Sequence, residues 1–158
     1  MVQTSLSEVV IQGRERLRDG RERCRKQHNA GSRGTQVSTR VSDLYDDLVL
    51  DVWNQALADH FDGQPPAGIA LVAHGGFGRR DLAPYSDADL MLLVRARSTA
   101  AGEKIAQMLT RDLVDIGLDV GFALRSPREA VSLSWTDPVI FSSLTESRLL
   151  AGSLKVFK

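Results

Sequence analysis

IALVAHGGFGRRDLAPYSDADLMLLVR, residues 69–95, is the stretch on which the fold turns. It opens with a short apolar run, Ile69 to Ala73, which predicts a strand ending at Gly75-Gly76. A second apolar run, Leu90 to Val94, predicts another strand, buried on both faces. Asp87 and Asp89 stand between them, one residue apart. Side chains two apart in extended backbone point to one face, so the two carboxylates are expected to converge. Converging carboxylates repel unless a cation lies between them. A hard divalent ion with oxygen ligands, Mg²⁺ above all, suits such a pair.

The glycines supply the complementary half. Gly75, Gly76 and Gly78 let the backbone approach a ligand closely. Phe77 to Leu82 is expected to begin a short helix or turn whose free N–H groups favour an anion such as phosphate. Arg79 and Arg80 add positive charge. Ser86 has two readings, a phosphate contact or a brace for the turn before Asp87. His74, at the strand end, reads as a packing or hydrogen-bonding residue, and Asp81 as a cap, an arginine partner or plain surface. A phosphate cradle beside a paired-carboxylate metal site is equipment for phosphoryl or nucleotidyl transfer.

Gly75-Gly76 followed by Asp87-Ala88-Asp89-Leu90 resembles the signature of the DNA polymerase β-like nucleotidyltransferases: an apolar residue, Gly-Gly or Gly-Ser, then Asp-x-Asp. The fuller run GGFGRRDLAPYSDADLMLL, with LDVGFALRSPREA and SLTESRLLAG downstream, is similar to one branch, the N-terminal domain of the PII-protein uridylyltransferase family. The likeness covers Thr35 to Gly152. It implies Asp87 and Asp89 as Mg²⁺ ligands, with UTP held by its phosphates on Gly75, Gly76, Gly78, Arg79 and Ser86. It also implies UMP transfer to a tyrosine of the PII signalling protein. In that superfamily a third carboxylate on a neighbouring strand completes the metal site and can act as base; Asp119 is the candidate here. Phe122 stands where the family more often shows histidine. Alternatives are a related adenylyltransferase and a non-catalytic regulatory domain that keeps the fold. Family chains run much longer than this one and include a His-Asp hydrolase domain. No His-Asp dipeptide occurs here, so no uridylyl-removing activity and no glutamine sensing are expected, and the chain reads as truncated at its C-terminus.

Outward from this stretch, 158 residues of zero formal net charge suit one core and give no global attraction to nucleic acid or anionic lipid. One cysteine, Cys24, excludes an internal disulfide and a cysteine metal cluster. Neither a secretory leader nor a membrane-length apolar run is evident, so a cytoplasmic location is expected. Residues 1–34 read as a basic helix (Ser5 to Asn29, capped by Ser5 or Ser7) plus linker, loosely attached. Residues 35–158 read as the nucleotidyltransferase domain. A long helix, Gln36 to His60, carries an apolar stripe from Val37 to Leu57, with Asp43, Asp46, Asp47 and Asp51 toward solvent. Thr99 to Ile116 predicts a helix whose apolar face includes Leu109, Leu113 and Val114. Leu118 to Leu124 predicts a third strand bearing Asp119. Ser126-Pro127-Arg128-Glu129 is a capping box starting a helix to Leu133, in which Trp135 is expected to pack nearby. Asp137-Pro138 starts another to Leu144, and Thr145 to Leu150 a last strand ended by Gly152. The expected fold is α/β, a small mixed sheet flanked by helices and preceded by long N-terminal helices.

Overall fold

The computed structural model describes residues 6–158. Two long helices, α1 (Glu8–Asn29) and α2 (Gly34–His60), precede β1 (Ile69–Ala73), a one-turn helix α3 (Gly75–Gly78) and β2 (Ala88–Val94). After a 3₁₀ turn come α4 (Thr99–Ile116), β3 (Val120–Arg125), α5 (Pro127–Thr136), α6 (Pro138–Thr145), β4 (Arg148–Gly152) and the short α7 (Leu154–Phe157). The helix α1 begins after Ser7; Ser5, the other expected cap, lies outside the described residues.

The four strands form one mixed sheet in the order β3-β2-β1-β4. β1 runs antiparallel to β2, with Ile69 opposite Val94 and Ala73 opposite Leu90, and antiparallel to β4. β3 runs parallel to β2, reached through the α4 crossover, with Ala88 opposite Val120 and Leu93 opposite Arg125. The mixed α/β sheet is thus the one the apolar runs predicted.

Side-chain alternation divides the sheet into two unlike faces. Ile69, Leu71, Ala73, Leu90, Leu92 and Val94 point into a large core shared with α1, α2 and α4. Tyr45, Leu48, Ile105 and Leu109 fill it, each at most 1% exposed. Ala70, Val72, Met91 and Leu93 point the other way, into a much smaller cluster with Ala130 and Val156. Asp89 shares that second face.

Three expectations change. First, α1 is not loosely attached. Its Val10, Leu17 and Cys24 are buried in the main core, and Gly13 and Gly20 let Ile116 and Leu44 press against the helix backbone. Sparse apolar residues at helical spacing therefore suffice, because small residues allow close approach. Second, Trp135 does not pack: it is 83% exposed on the outer side of α5, and Val114 is 55% exposed on α4. Third, Asp46 is not a solvated carboxylate. Its side chain is 14% exposed and is held by Arg148 and Arg80. Boundaries also shift: the turn helix starts at Gly75 rather than Phe77, α5 runs on to Thr136, and β4 spans Arg148–Gly152.

Candidate active site

Asp87, Asp89 and Asp119 lie where the parallel strands β2 and β3 begin. Asp89 lies in β2, opposite Gly121 of β3. The Ala88 N–H donates to the Asp119 carbonyl at 2.8 Å. Continuing the register by one residue sets Asp87 beside Asp119, both exposed just ahead of their strands. Asp119 therefore precedes its strand rather than lying on it, yet alternation keeps it on the face of Asp87, Asp89 and Gly121. Phe122 points to the opposite face, against the main core. The expected histidine position is thus not on the side of the carboxylates.

Asp89 is backed by glycine on two sides. A Cβ on Gly121 would stand 2.7 Å from its Oδ1, and a Cβ on Gly75 would stand 2.9 Å from its Oδ2. Gly75 also has φ +56°, a conformation costly for side-chain-bearing residues. These two positions let the carboxylate sit directly against the turn. Burial raises the Asp89 carboxyl above the usual carboxylate range, His74 opposes that rise, and the charge of Asp87 adds to it. No donor among the described residues bonds the side chains of Asp87 or Asp89, so their oxygens face the site unshared. An acceptor-only pair, Asp87 exposed and Asp89 half-buried, fits a hard divalent cation, and Mg²⁺ commonly takes one or two carboxylates and completes its shell with substrate phosphate and water. Among the described residues no group of three His, Cys, Asp or Glu side chains is gathered for a metal. The donor set in this arrangement is the pair.

The turn opposite the pair is pinned from behind. The N–H groups of Gly75, Gly76 and Phe77 find no backbone acceptor among the described residues. They are the unspent donors of a helix start. Gly78 fits where a Cβ would lie 2.2 Å from the Glu146 carbonyl. Arg148 grips the turn: it donates to the carbonyls of Phe77 at 3.3 Å and Gly78 at 3.4 Å, and forks onto both Asp46 oxygens at 2.9 Å. Arg79 pairs with Glu146, and Arg80, at φ +63°, with Asp43 and Asp46. Arg79, expected at the phosphates, and Arg80, expected to add positive charge nearby, are thus both occupied by carboxylates here. Ser86 braces its own turn, its hydroxyl donating to the Ala83 carbonyl at 3.0 Å. His74 is kept below its usual pKa by burial, with Asp89 pulling it back up, and its Nδ1 lies 2.8 Å from Ser143 Oγ.

Arg21 of α1 holds the loop that leads into Asp87. Its Nε donates to the Pro84 carbonyl at 3.1 Å and its Nη2 to the Tyr45 hydroxyl at 2.8 Å. The guanidinium also lies 4.9 Å from the centre of the exposed Tyr85 ring. Sequence reasoning missed Arg21, Arg148 and Asp46 as supports. Partners 102 residues apart, as Arg148 and Asp46 are, leave no local pattern to read.

Comparison with known proteins bears on the same residues. The family described as "Putative nucleotidyltransferase DUF294" matches residues 19–126. That span holds the turn, all three carboxylates and the sheet strands β1 to β3. Among curated proteins, the bifunctional uridylyltransferase/uridylyl-removing enzyme of Nitrosospira multiformis is 33% identical over 150 residues, covering 91% of this chain and 16% of that protein. The proteins of the same description from Pseudomonas entomophila and Vibrio atlanticus are 39% and 40% identical over 75% and 72% of this chain, and 13% of each relative. The chain thus spans about a sixth or less of the length of these relatives. No helix among the described residues is long and apolar enough to cross a membrane.

Proposed function

The chain belongs to the DUF294 nucleotidyltransferase family, and from that premise we propose that it transfers UMP from UTP to a tyrosine hydroxyl of a PII-type signalling protein, with Mg²⁺ as cofactor. Uridylyl transfer is in the names of its relatives. The PII target comes from the likeness of the Gly-Gly, Asp-x-Asp and downstream segments to the uridylyltransferase branch. The observation that carries the reading is the contact of Asp89 with Gly75: the carboxylate pair and the bare turn are two walls of one site.

Asp87 and Asp89 would hold the ion. When bound there it supplies positive charge to the triphosphate and to the departing pyrophosphate. The rest falls to the chain's own groups. The N–H groups of Gly75 to Phe77 would bind phosphate oxygens, at a turn whose shape is kept by Arg148. Asp119, exposed beside Asp87, would accept the proton of the attacking hydroxyl. Pro84 and Tyr85, clasped by Arg21, would keep Asp87 at the strand mouth. The cytoplasm is the compartment expected for such a reaction.

The test is incubation with PII protein, Mg²⁺ and each labelled nucleoside triphosphate in turn, read by the mass of the protein. A uridylyl increment seen with UTP alone supports the reading. An adenylyl increment moves it to the adenylyltransferases. No increment with any nucleotide, in a chain that also binds none of them, leaves a domain that keeps the fold without the chemistry.

A further inference from the structure

A cavity of about 80 Å³ lies beside the glycine turn, between β2, β3 and α6. Met91, Ala123, Ile140 and Leu144 form its apolar walls, and His74, Ser143 and Arg125 bring polar groups to it. It is smaller than the ~150 Å³ cavity that takes a benzene ring, so it suits a group of a few atoms rather than a nucleobase. It adjoins the turn directly: Ser143 Oγ lies 3.4 Å from where a Gly75 Cβ would be.

Arg125 is the unusual member. The arginines of the glycine turn are spent, Arg79 on Glu146, Arg80 on Asp43 and Asp46, and Arg148 on Asp46. Arg125 is half-buried and has neither ion pair nor hydrogen bond among the described residues. Glu129 feels its charge, but that carboxylate is taken by the backbone and hydroxyl of Ser126 in the cap of α5. A half-buried guanidinium without a partner is costly unless an anion arrives to meet it.

The strand register gives the scale. Met91 and Ala123 lie two residues along their strands from Asp89 and Gly121, a step of about 7 Å, and Arg125 stands two residues further, about 13 Å from Gly121, with its side chain lining the same cavity. A triphosphate anchored at Asp87 and Asp89 extends over a comparable span. We propose that Arg125, with His74 and Ser143, forms a subsite for the outermost phosphate of the nucleotide, an inference that rests on the nucleotidyl-transfer reading. The His74 imidazole and the Ser143 hydroxyl are hydrogen-bonded to each other, which leaves one N–H or O–H of the pair to donate; the guanidinium supplies the charge. The apolar walls exclude water and strengthen that contact.

The test is calorimetric titration of the intact chain in excess Mg²⁺ with UTP, UMP and inorganic tripolyphosphate. Arg125→Met is expected to weaken UTP and tripolyphosphate at least tenfold and to change UMP less than twofold. Arg125→Lys should regain part of the loss. Ala123→Leu fills the cavity while leaving the arginine, and should give the Arg125→Met pattern; it decides the matter if circular dichroism shows Arg125→Met unfolded. Equal weakening of UTP and UMP, or no change in either, overturns the subsite while leaving nucleotide transfer standing. Arg125-dependent binding of tripolyphosphate by a chain that takes neither nucleotide supports an anion site and overturns nucleotide transfer. A wild-type chain that binds none of the three overturns both.

Discussion

The two faces of the sheet are built to different ends. One is closed by α1, α2 and α4 over a core in which Ile69, Leu71, Leu90, Leu92, Ile105 and Leu109 are fully buried. The other is covered by short helices, leaves Trp135, Val139 and Phe141 more than half exposed, and carries Asp89. Burial of apolar area stabilises the fold on the first face. On the second, like charges and a half-buried carboxylate cost stability for the sake of a site. The helix α1 shows how the two are coupled: its apolar residues enter the closed core, while its Arg21 reaches the loop in front of Asp87.

That contrast can be broken most sharply at the carboxylates. Asp87→Asn is expected to lower transfer by about a thousandfold or more, equivalent to roughly 4 kcal/mol of barrier, with little change in melting temperature. A labelled-UTP assay beside a thermal melt reads both. A comparable loss of stability with activity kept would reverse the assignment of the two faces.

On the closed face, Leu109→Ala should cost about 2–5 kcal/mol of folding stability in urea denaturation, because it empties a site sealed on every side. Arg148→Ala falls between the faces. It leaves Asp46 with Arg80 alone and frees the carbonyls of Phe77 and Gly78, so we expect a loss of about 1–3 kcal/mol together with weaker UTP binding. Stability lost with UTP affinity unchanged would mean that Arg148 supports the fold without shaping the turn.

Smaller effects separate the faces by sign. The carboxyl of Asp89 is raised by burial and by Asp87. An acid that holds its proton more tightly when folded gives up stability as pH rises through the raised value, and regains it as pH falls toward the ordinary carboxylate range near 4. Asp89→Asn should therefore stabilise the chain at pH 7. Screening at this half-exposed group limits the gain to under about 1 kcal/mol, and the gain should shrink as pH is lowered toward 4. Thermal melts across that range check the sign. Trp135→Ala, on the open face, should change stability by no more than about 0.5 kcal/mol.

Much of this was legible in residues 69–95. Apolar runs marked β1 and β2, and one-residue spacing put Asp87 and Asp89 on one face. The capping box at Ser126 and the Asp137 cap of α6 were also readable, since both are local hydrogen-bonding patterns. The supports were not. Arg21, Asp46 and Arg148 matter through partners brought near only by the folded topology, and an arginine in a helix rich in arginines carries no local sign of its role. Trp135 misled because an aromatic in a helix usually packs, and α5 turns it away from the sheet. Arg125 reads as an ordinary strand-end arginine until the fold brings it into a cavity beside His74 and Ser143.

The claim that Asp87 and Asp89 hold a divalent ion against the glycine turn is tested most directly by Mn²⁺ titration of the chain with UTP present, followed by electron paramagnetic resonance. The account predicts saturable Mn²⁺ binding that strengthens with UTP and is lost in both Asp87→Asn and Asp89→Asn. Binding of equal strength in wild type and variants would contradict it.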